Sequence, residues 1–419
     1  MNYNVIILCF ILLYIASCSS KNTIEESPQE EHYISLTNDI AQSRKDEPIV
    51  ITRDHMEDLT KRFPQGQVPR LIGENGEEIP VQTDDMDGDG EWDELSFTYS
   101  ILPKYTAVLK VETVEMALSS DYDKKTNLVV YNITEDQKSK FSEAGNSTTK
   151  SSPGRAALSG ISWENDKIAF YIDFHPEPVK YILGKRTDKM ILNKIDIQSG
   201  SMEQQVWGKR FFNRFDSIGS GTLTYLQDSI ISKFENYDSL KYQIITQGPV
   251  RSTFKIIYQG VQTEDSKYNV EEEVTIWAMQ NGYQNKISIS GIEKEQVLAA
   301  VVPISSFESF VRNDTDPNFH SIASFNISDK EASGIGMLIP RLRIINYKAD
   351  SLQYNEDLNF HYVKFNISNQ EPILIFVYAG WQYQDEKFKE PEGFLTMLEK
   401  EANRINNPLV ISNKRSDEE

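Results

Sequence analysis

The sequence has very little cysteine, and this shortage excludes several kinds of chemistry at once. Cys9 and Cys18 are the two cysteines in a chain of 419 residues. Cys9 lies inside an apolar N-terminal run, and Cys18 follows directly after that run and two small residues. A mature chain that begins at Cys18, with its sulfur blocked, has no disulfide, no thiolate zinc site and no cysteine nucleophile. The fold must therefore be stabilised by its core alone.

Basic residues are also in short supply. The chain has 43 Lys and Arg against 63 Asp and Glu, a formal net charge of -20. No basic stretch offsets this excess, which argues against a nucleic acid partner. An acidic small substrate is still compatible, because a pocket needs only a few converging Arg and Lys side chains. The G-x-S-x-G elbow, the Walker loop, the dinucleotide fingerprint and the H-E-x-x-H motif are all missing.

The N-terminus predicts export and lipid attachment. Val5–Ile15 is an unbroken apolar run, about as long as the apolar region of a signal peptide and too short to span a bilayer. Small residues and Cys18 follow it, in the order found in the lipobox of bacterial lipoproteins. We therefore expect residues 1–17 to be a signal peptide and Cys18 to carry the lipid, on an outer-membrane protein that faces the periplasm rather than the cell surface. An ordinary cleaved secretion signal is the alternative.

The remaining pattern predicts a mostly β protein. Short apolar runs broken by turn residues recur from Pro48 onwards, without clear helical periods between them. Such a series is typical of a large antiparallel β-sandwich, here one that could be a mutarotase-like supersandwich, preceded by a small β-domain. Pro391 begins a single C-terminal helix pattern. The predicted units are a flexible tether over 18–47, a small β-domain over 48–115, a linker or excursion over 116–155 and a catalytic β-sandwich over 156–412.

An acidic stretch in the small β-domain resembles the first part of a calcium-binding loop. Alternate carboxylates converge on a hard cation while a glycine at the sixth position permits the sharp turn. The twelfth position is Ser96 rather than the usual glutamate. The alternative is an acidic hairpin turn whose aspartates cap their own backbone. If the stretch binds calcium, the ion would have a structural role, and its candidate ligands are Asp85, Asp87, Asp89 and Asp93.

A second stretch places polar side chains at the ends of one predicted strand. Trp163, Glu164 and Asn165 precede the strand Ile168–Phe174, and His175 follows it. Binding groups often lie at the ends of strands, where a rigid sheet holds them in place. His175 is a candidate base near neutral pH, although a lone histidine is more often structural.

The densest mixture of cations and rings begins at Trp207. Arg210 and Arg214 could each bind a carboxylate or sulfate through two parallel hydrogen bonds, and Trp207 could stack on a sugar. The alternative is a strand whose cations, Lys209 among them, are solvated. Arg251 follows a turn and is a further candidate for binding an anion.

Several of these stretches together resemble a domain-of-unknown-function family of bacterial secreted proteins and lipoproteins associated with polysaccharide breakdown. Within that resemblance, the sequence is similar to ulvan oligosaccharide dehydratases. The resemblance implies a lyase that removes water from a glucuronic or iduronic acid at the non-reducing end of a sulfated oligosaccharide, leaving a 4,5-unsaturated uronyl residue without a redox cofactor. The stretches that carry it are Val68–Gln82, Asp85–Phe97, Ile161–Phe170, Gly219–Asp228 and Gly248–Tyr258.

This elimination needs a cation at the carboxylate, a base for the C5 proton and an acid for the departing hydroxyl. We expect Arg210 and Arg214 to bind the carboxylate or sulfate, His175 to be the base, and Glu164 or Tyr171 to be the acid. A non-catalytic lipoprotein that binds acidic glycans, and an endolytic polysaccharide lyase or hydrolase, are the alternatives. The further residues predicted to contact substrate are Trp163, Asn165, Trp207, Lys209 and Arg251.

Overall fold

The computed structural model of the chain describes residues between 31 and 415. Within that span the residues left out are 57–65, 117–121, 134–138, 143–157, 175–177, 196–205, 212–218, 220, 228–229, 264–265, 293, 305–307, 314–315, 328–330, 346–349, 356–357 and 370.

The described residues form 27 strands and one α-helix. The first strands are His32–Asn38 (β1), Arg44–Thr52 (β2), Gln67–Ile72 (β3), Glu78–Ile79 (β4), Val81–Asp84 (β5), Glu94–Ile101 (β6), Tyr105–Glu115 (β7), Thr126–Ile133 (β8) and Ser139–Ser142 (β9). The central strands are Leu158–Asn165 (β10), Ile168–Asp173 (β11), Val179–Lys185 (β12), Gly208–Phe211 (β13), Leu223–Gln227 (β14), Ile230–Ser232 (β15), Ser239–Gln247 (β16), Arg251–Gln262 (β17), Lys267–Trp277 (β18) and Gly282–Ser290 (β19). The last elements are Gln296–Ile304 (β20), Glu308–Asn313 (β21), Phe319–Ile327 (β22), Ala332–Pro340 (β23), Asp350–Asn355 (β24), Leu358–Ile367 (β25), Ile373–Trp381 (β26), the helix Pro391–Asn406 (α1) and Val410–Arg415 (β27).

The N-terminal strands form a small sandwich of two sheets. One sheet has the order β27-β1-β7-β3-β4, and the other has the order β2-β6-β5. Alternate residues of these strands are buried between the sheets, including Leu36, Leu95 and Phe97. This alternation is what a sheet with one solvated face requires.

Three further sheets form the large sandwich. An eight-stranded sheet has the order β16-β17-β18-β19-β26-β23-β22-β21. A six-stranded sheet, β13-β12-β11-β10-β8-β9, and a five-stranded sheet, β15-β14-β20-β25-β24, share one continuous core with it. Helix α1 packs on the opposite face of the eight-stranded sheet, where Phe394 and Leu398 belong to one buried cluster with Phe325 and Phe376. The predicted mostly β sandwich with a single C-terminal helix is confirmed for the described residues.

The domain boundaries differ from those predicted. Residues 32–38 and 44–52 are strands rather than part of a tether, and β27 pairs with β1 in antiparallel register. Both ends of the described chain therefore belong to the small sandwich, which does not end at residue 115. Strand β8 lies within the predicted linker and pairs with β10 in the six-stranded sheet. Because polar residues lie on either side of these strands, the alternation of apolar and polar residues along them is hard to recognise in the sequence.

The two sandwiches meet at a buried ion pair. Arg251 is 5% exposed, and its Nε donates to Asp84 Oδ2 at 2.7 Å while its Nη2 donates to Glu94. Gln82 Oε1 accepts from the backbone N–H groups of Val250 and Arg251, both at 2.9 Å. A Cβ at Gly248 would lie 2.3 Å from that Oε1, so a larger residue there would displace the Gln82 amide from these bonds. Arg251 was predicted to bind an anion of the substrate. It is instead neutralised by Asp84 and Glu94 where the two sandwiches meet.

Within the described part of the chain, no helix combines the length and the apolar composition needed to cross a membrane.

Candidate functional site

The six-stranded sheet turns one face to the core and the other away from it. On β10 to β13 the core face carries large apolar side chains such as Trp163, Phe170 and Phe211. Because successive side chains of a strand point to opposite faces, the residues between them lie on the outer face. A second, smaller cluster is buried there and contains Tyr131 and Tyr171.

The outer face carries a row of tyrosines that ends in an arginine. The rings of Tyr131 and Tyr171 meet edge to face at 5.6 Å, and the rings of Tyr171 and Tyr181 stack at 6.1 Å with 18° between their planes. The guanidinium Cζ of Arg210 lies 4.6 Å from the centre of the Tyr181 ring. Ser162 Oγ donates to the Tyr131 hydroxyl at 3.1 Å. We call Tyr131, Ser162, Tyr171, Tyr181 and Arg210 the tyrosine face.

The strand register explains why these residues meet. Ser162 on β10 lies opposite Tyr171 on β11, and Tyr171 lies opposite Tyr181 on β12. Arg210 on β13 lies opposite Leu183, two residues from Tyr181 on the same face of β12. At this diagonal spacing a long side chain reaches an aromatic ring on the neighbouring strand, where a cation is attracted to the face of the ring.

Tyr181 is the accessible phenol of this row. It is half-buried, and no described residue forms a hydrogen bond with its hydroxyl. Burial raises its pKa above the ordinary tyrosine value, the nearby Asp173 carboxylate raises the pKa further, and Arg210 lowers it. Tyr181 is therefore protonated at neutral pH, which suits an acid and not a base.

Three of the predicted residues lie together on this face. Arg210 stacks on Tyr181, and Trp207, just before β13, packs half-buried against the outer cluster. Tyr171 is 1% exposed, so its ring supports Tyr181 and its hydroxyl lies away from solvent. The sequence analysis missed Tyr181. Its position between the apolar residues of β12 could have placed it opposite Tyr171, but nothing in its own neighbourhood indicates the contact with Arg210.

Glu164, predicted as an acid, has a structural position. Its carboxylate accepts from Lys185 Nζ at 2.8 Å and from Asn127 Nδ2 at 3.0 Å. The backbone N–H groups of Ile191 and Leu192 donate to it at 2.9 and 2.8 Å. Both Glu164 and Lys185 have side chains that are 0% exposed. The pair attaches the 190–195 segment to the outer face of the sheet, and it leaves no carboxylate oxygen for a substrate.

Trp163 and Asn165 are also structural. Trp163 is fully buried, stacked on Phe170 at 5.7 Å, so it cannot stack on a sugar. Asn165 Nδ2 donates to the carbonyls of Trp277 and Gln280 at 2.6 and 2.8 Å. These bonds connect the β10–β11 turn of the six-stranded sheet to the β18–β19 turn of the eight-stranded sheet.

Lys209 points away from the tyrosine face. It lies on the same side of β13 as the core residue Phe211 and forms an ion pair with Glu331. Arg210, the next residue, lies on the other side because side chains alternate along a strand. The predicted cluster of cations is therefore divided between two faces of the sheet.

Three predicted residues lie outside the described residues: His175, Arg214 and Cys18. Their roles as base, anion ligand and lipid attachment site stay predictions.

The acidic loop brings three of its four predicted ligands together. Carboxylate oxygens of Asp85, Asp87 and Asp89 lie within 4.8 Å of one another. Asp93 is not in this group; its Oδ2 accepts from the backbone N–H of Met86 at 2.6 Å. Hydrogen bonds from backbone N–H groups, above all that of Gly90, hold the pKa of Asp85 below its usual value. The aspartates cap their own turn, and three of them also present oxygens to a common point.

Comparisons with known proteins give one family and several distantly similar solved structures. Residues 36–411 match the family described as Domain of unknown function (DUF4861). No curated protein matches the chain.

Two solved structures from Enterococcus faecalis are similar to most of this chain. One is a protein in the glycosyl hydrolase family 38, 10% identical with a TM-score of 0.46, over 93% of this chain and 48% of the other. The second is an alpha-mannosidase, 11% identical with a TM-score of 0.47, over 92% of this chain and 46% of the other. The chain thus spans about half the length of these two proteins.

Proposed function

The chain belongs to the DUF4861 family, and from that premise we propose that it is a carbon–oxygen lyase. Its substrate is a non-reducing-end glucuronic or iduronic acid of a sulfated, ulvan-type oligosaccharide, and its product is the 4,5-unsaturated uronyl residue. The observation that carries the proposal is the contact between the Arg210 guanidinium and the Tyr181 ring on an outer sheet face. It places a fixed cation beside a protonated phenol.

Arg210 binds the uronate carboxylate. A guanidinium offers parallel N–H donors that match a carboxylate, and the charged hydrogen bonds are about twice as strong as neutral ones. Neutralising the carboxylate stabilises the negative charge that develops as the C5 proton leaves. The Tyr181 ring beneath the guanidinium holds it in one orientation, so little freedom is lost when the substrate binds.

Tyr181 supplies the proton for the leaving group. The C5–H bond breaks and its proton passes to a base, while its electron pair moves towards the carboxylate that Arg210 neutralises. The C4–O bond then breaks as this electron pair forms the C4–C5 double bond, and the hydroxyl takes the Tyr181 proton and leaves as water. The base returns its proton to the Tyr181 phenolate through solvent, which completes the cycle without a redox change.

His175 remains the proposed base. It belongs to the chain segment between β11 and β12, the two strands that carry Tyr171 and Tyr181. A histidine can accept a proton near neutral pH without a large pKa shift. An alanine variant at this position should lose most of the rate if His175 is the base, and retained full rate would remove it from the mechanism.

The experiment that tests the proposal uses purified protein and saturated uronyl-rhamnose oligosaccharides. We expect ultraviolet absorbance to rise as the unsaturated uronate forms, with oligosaccharide length unchanged by chromatography. Binding by calorimetry without product would favour a glycan-binding lipoprotein. Shortening of long polymer would favour an endolytic lyase or hydrolase.

We also propose that Asp85, Asp87 and Asp89 hold a structural calcium ion. Their oxygens already converge within 4.8 Å, and calcium prefers carboxylate oxygens. Calorimetry on metal-stripped protein should detect binding with a dissociation constant of about 10⁻⁴ to 10⁻³ M, typical of extracellular modules. The matched control is the double variant Asp87→Asn and Asp89→Asn, which should show no binding heat. Absence of heat from the unaltered protein at millimolar calcium would contradict the proposal.

We further propose that the protein lies at the outer membrane, on its periplasmic side, and is held there by a lipid on Cys18. An anchored enzyme there would act on oligosaccharides after import and not on the polymer outside.

A further inference from the structure

Asp173 is a carboxylate on the outer face of the six-stranded sheet that the proposed mechanism does not use. It is the last residue of β11 and is half-buried. It faces the same side of the sheet as Tyr171, because residues two apart on a strand point the same way. A carboxylate at this place repels the charge of an acidic sugar, so its position limits which sugars can bind beside it.

The strand register places Asp173 next to Tyr181. Asp173 lies opposite Val179 on β12, and Tyr171 lies opposite Tyr181. Asp173 and Tyr181 are therefore diagonal neighbours on one face, with about 7 to 8 Å between their Cα atoms. The charge of Asp173 acts on the phenol, since it raises the pKa of Tyr181. Asp173 thus borders the surface on which the substrate is proposed to lie.

Arg210 lies on the other side of the same tyrosine. It is opposite Leu183 on β12, two residues beyond Tyr181. Asp173 is opposite Val179, two residues before Tyr181. The Arg210 guanidinium Cζ reaches back to 4.6 Å from the centre of the Tyr181 ring. Along β12, the phenol therefore has a cation on one side and a carboxylate on the other.

The Tyr171 ring occupies the flank of Asp173 that borders β10. Gly160 is the residue of β10 opposite Asp173. A Cβ at Gly160 would lie 2.4 Å from Cε2 of Tyr171 and 2.6 Å from its hydroxyl, so the ring covers this position of β10. Asp173 therefore has an aromatic ring on one flank and Tyr181 on the other.

A uronic acid ring matches the order of groups along β12. Its carboxylate is attached to C5 and its leaving hydroxyl to C4, while the C2 and C3 hydroxyls lie on the far edge of the ring. With the carboxylate at Arg210 and the C4 oxygen at the Tyr181 phenol, this far edge extends towards Asp173. A carboxylate accepts strong hydrogen bonds from hydroxyl groups and repels a second anion.

We propose that Asp173 determines specificity by accepting hydrogen bonds from the C2 and C3 hydroxyls of the terminal uronic acid, and by rejecting a uronic acid with a sulfate ester at either position. This inference rests on the proposed function. It adds that any sulfate of a good substrate belongs to a neighbouring sugar and not to the sugar that is converted.

The test uses two saturated uronyl-rhamnose oligosaccharides that differ by a sulfate ester on the C2 or C3 oxygen of the terminal uronate. The unaltered protein should convert the sulfated one with a kcat/KM about 100-fold lower, because like charges that are brought together in a binding site repel strongly. Asp173→Asn has the same shape without the charge and should reduce this difference about tenfold or more. Asp173→Glu keeps the charge and should keep the difference.

A second comparison measures the hydrogen bonds. Asp173→Ala should raise KM for the unsulfated oligosaccharide about 10- to 100-fold, with kcat changed less, since hydrogen bonds to a charged acceptor are lost. The matched control is Asp238→Asn, which also removes one negative charge from the large sandwich, where Asp238 pairs with Lys267 at 2.8 Å. It should leave KM and the difference between the two oligosaccharides unchanged. Circular dichroism verifies the fold of each variant.

Equal conversion of the two oligosaccharides by the unaltered protein, or an unchanged difference in the Asp173→Asn variant, would overturn the inference. If the unaltered protein converts neither, the proposed function fails separately, and calorimetry with the same proteins decides the role of Asp173. Tighter binding of the unsulfated oligosaccharide, by a margin that shrinks in Asp173→Asn, would support the inference. Equal binding of the two, or binding of neither, would contradict it.

Discussion

Replacing Tyr181 with phenylalanine should lower kcat about 10²- to 10⁴-fold, which is the contribution typical of a general acid. The phenyl ring keeps the stacking on Tyr171 and the surface beneath Arg210, so substrate binding and KM should change little. The measurement is the rate of unsaturated uronate formation, followed by ultraviolet absorbance with the saturated oligosaccharide.

The pH profile separates this role from a structural one. Burial and the Asp173 carboxylate raise the pKa of Tyr181 above the ordinary tyrosine value of about 10. The unaltered enzyme should therefore show no loss of rate from this group below that pH. The control is Tyr171→Phe, at a residue 1% exposed, which should keep most of the rate. A Tyr181→Phe variant with an unchanged rate, or a larger loss in the Tyr171→Phe variant, would contradict the assignment.

Replacing Glu164 with glutamine should lower the free energy of unfolding by about 3 to 5 kcal/mol, because it leaves the buried ammonium of Lys185 without its counter-charge. Burial already lowers the pKa of Lys185, and Glu164 partly offsets that shift. The substitution also weakens the acceptor for the backbone N–H groups of Ile191 and Leu192. Urea unfolding, followed by tryptophan fluorescence, measures the loss.

A matched control makes this result specific. Glu271 pairs with Lys255 at 2.9 Å, but its side chain is 33% exposed. Glu271→Gln should therefore cost about 1 kcal/mol or less. A second substitution, Lys185→Met, added to Glu164→Gln should recover part of the stability, since it removes the unpaired charge. Full stability with a strongly reduced rate in Glu164→Gln would instead restore Glu164 as the catalytic acid.

More of the fold than of the candidate site could be predicted from the sequence. Alternating apolar residues identified strands such as Arg251–Tyr258 and Ile168–Phe174 within a few residues of their observed ends. The helix from Pro391 was predicted because its apolar face has a helical period. Strand β1 was missed because, between polar neighbours, its burial depends on pairing with β7 and with β27 near the other end of the chain.

The polar residues show why the site was harder to predict. Glu164 looks reactive in the sequence because the residues that satisfy its carboxylate, Lys185 and the 191–192 backbone, lie more than twenty positions away. Lys209 and Arg210 look like one cluster, but strand alternation directs them to opposite faces. The residues around Tyr181 in the sequence give no signal of its contact with Arg210. Its role follows from a contact with Arg210 that only the register of β12 and β13 creates.

The central claim is that Arg210, on the outer face of the six-stranded sheet, binds the carboxylate of an acidic sugar that the enzyme converts there. The most direct measurement compares unaltered protein with Arg210→Ala on saturated uronyl oligosaccharide, with circular dichroism to verify the fold. The account predicts a rise in ultraviolet absorbance for the unaltered protein and a loss of about 10²-fold or more in kcat/KM for the folded variant. An Arg210→Ala variant that forms the unsaturated product at the full rate would contradict it.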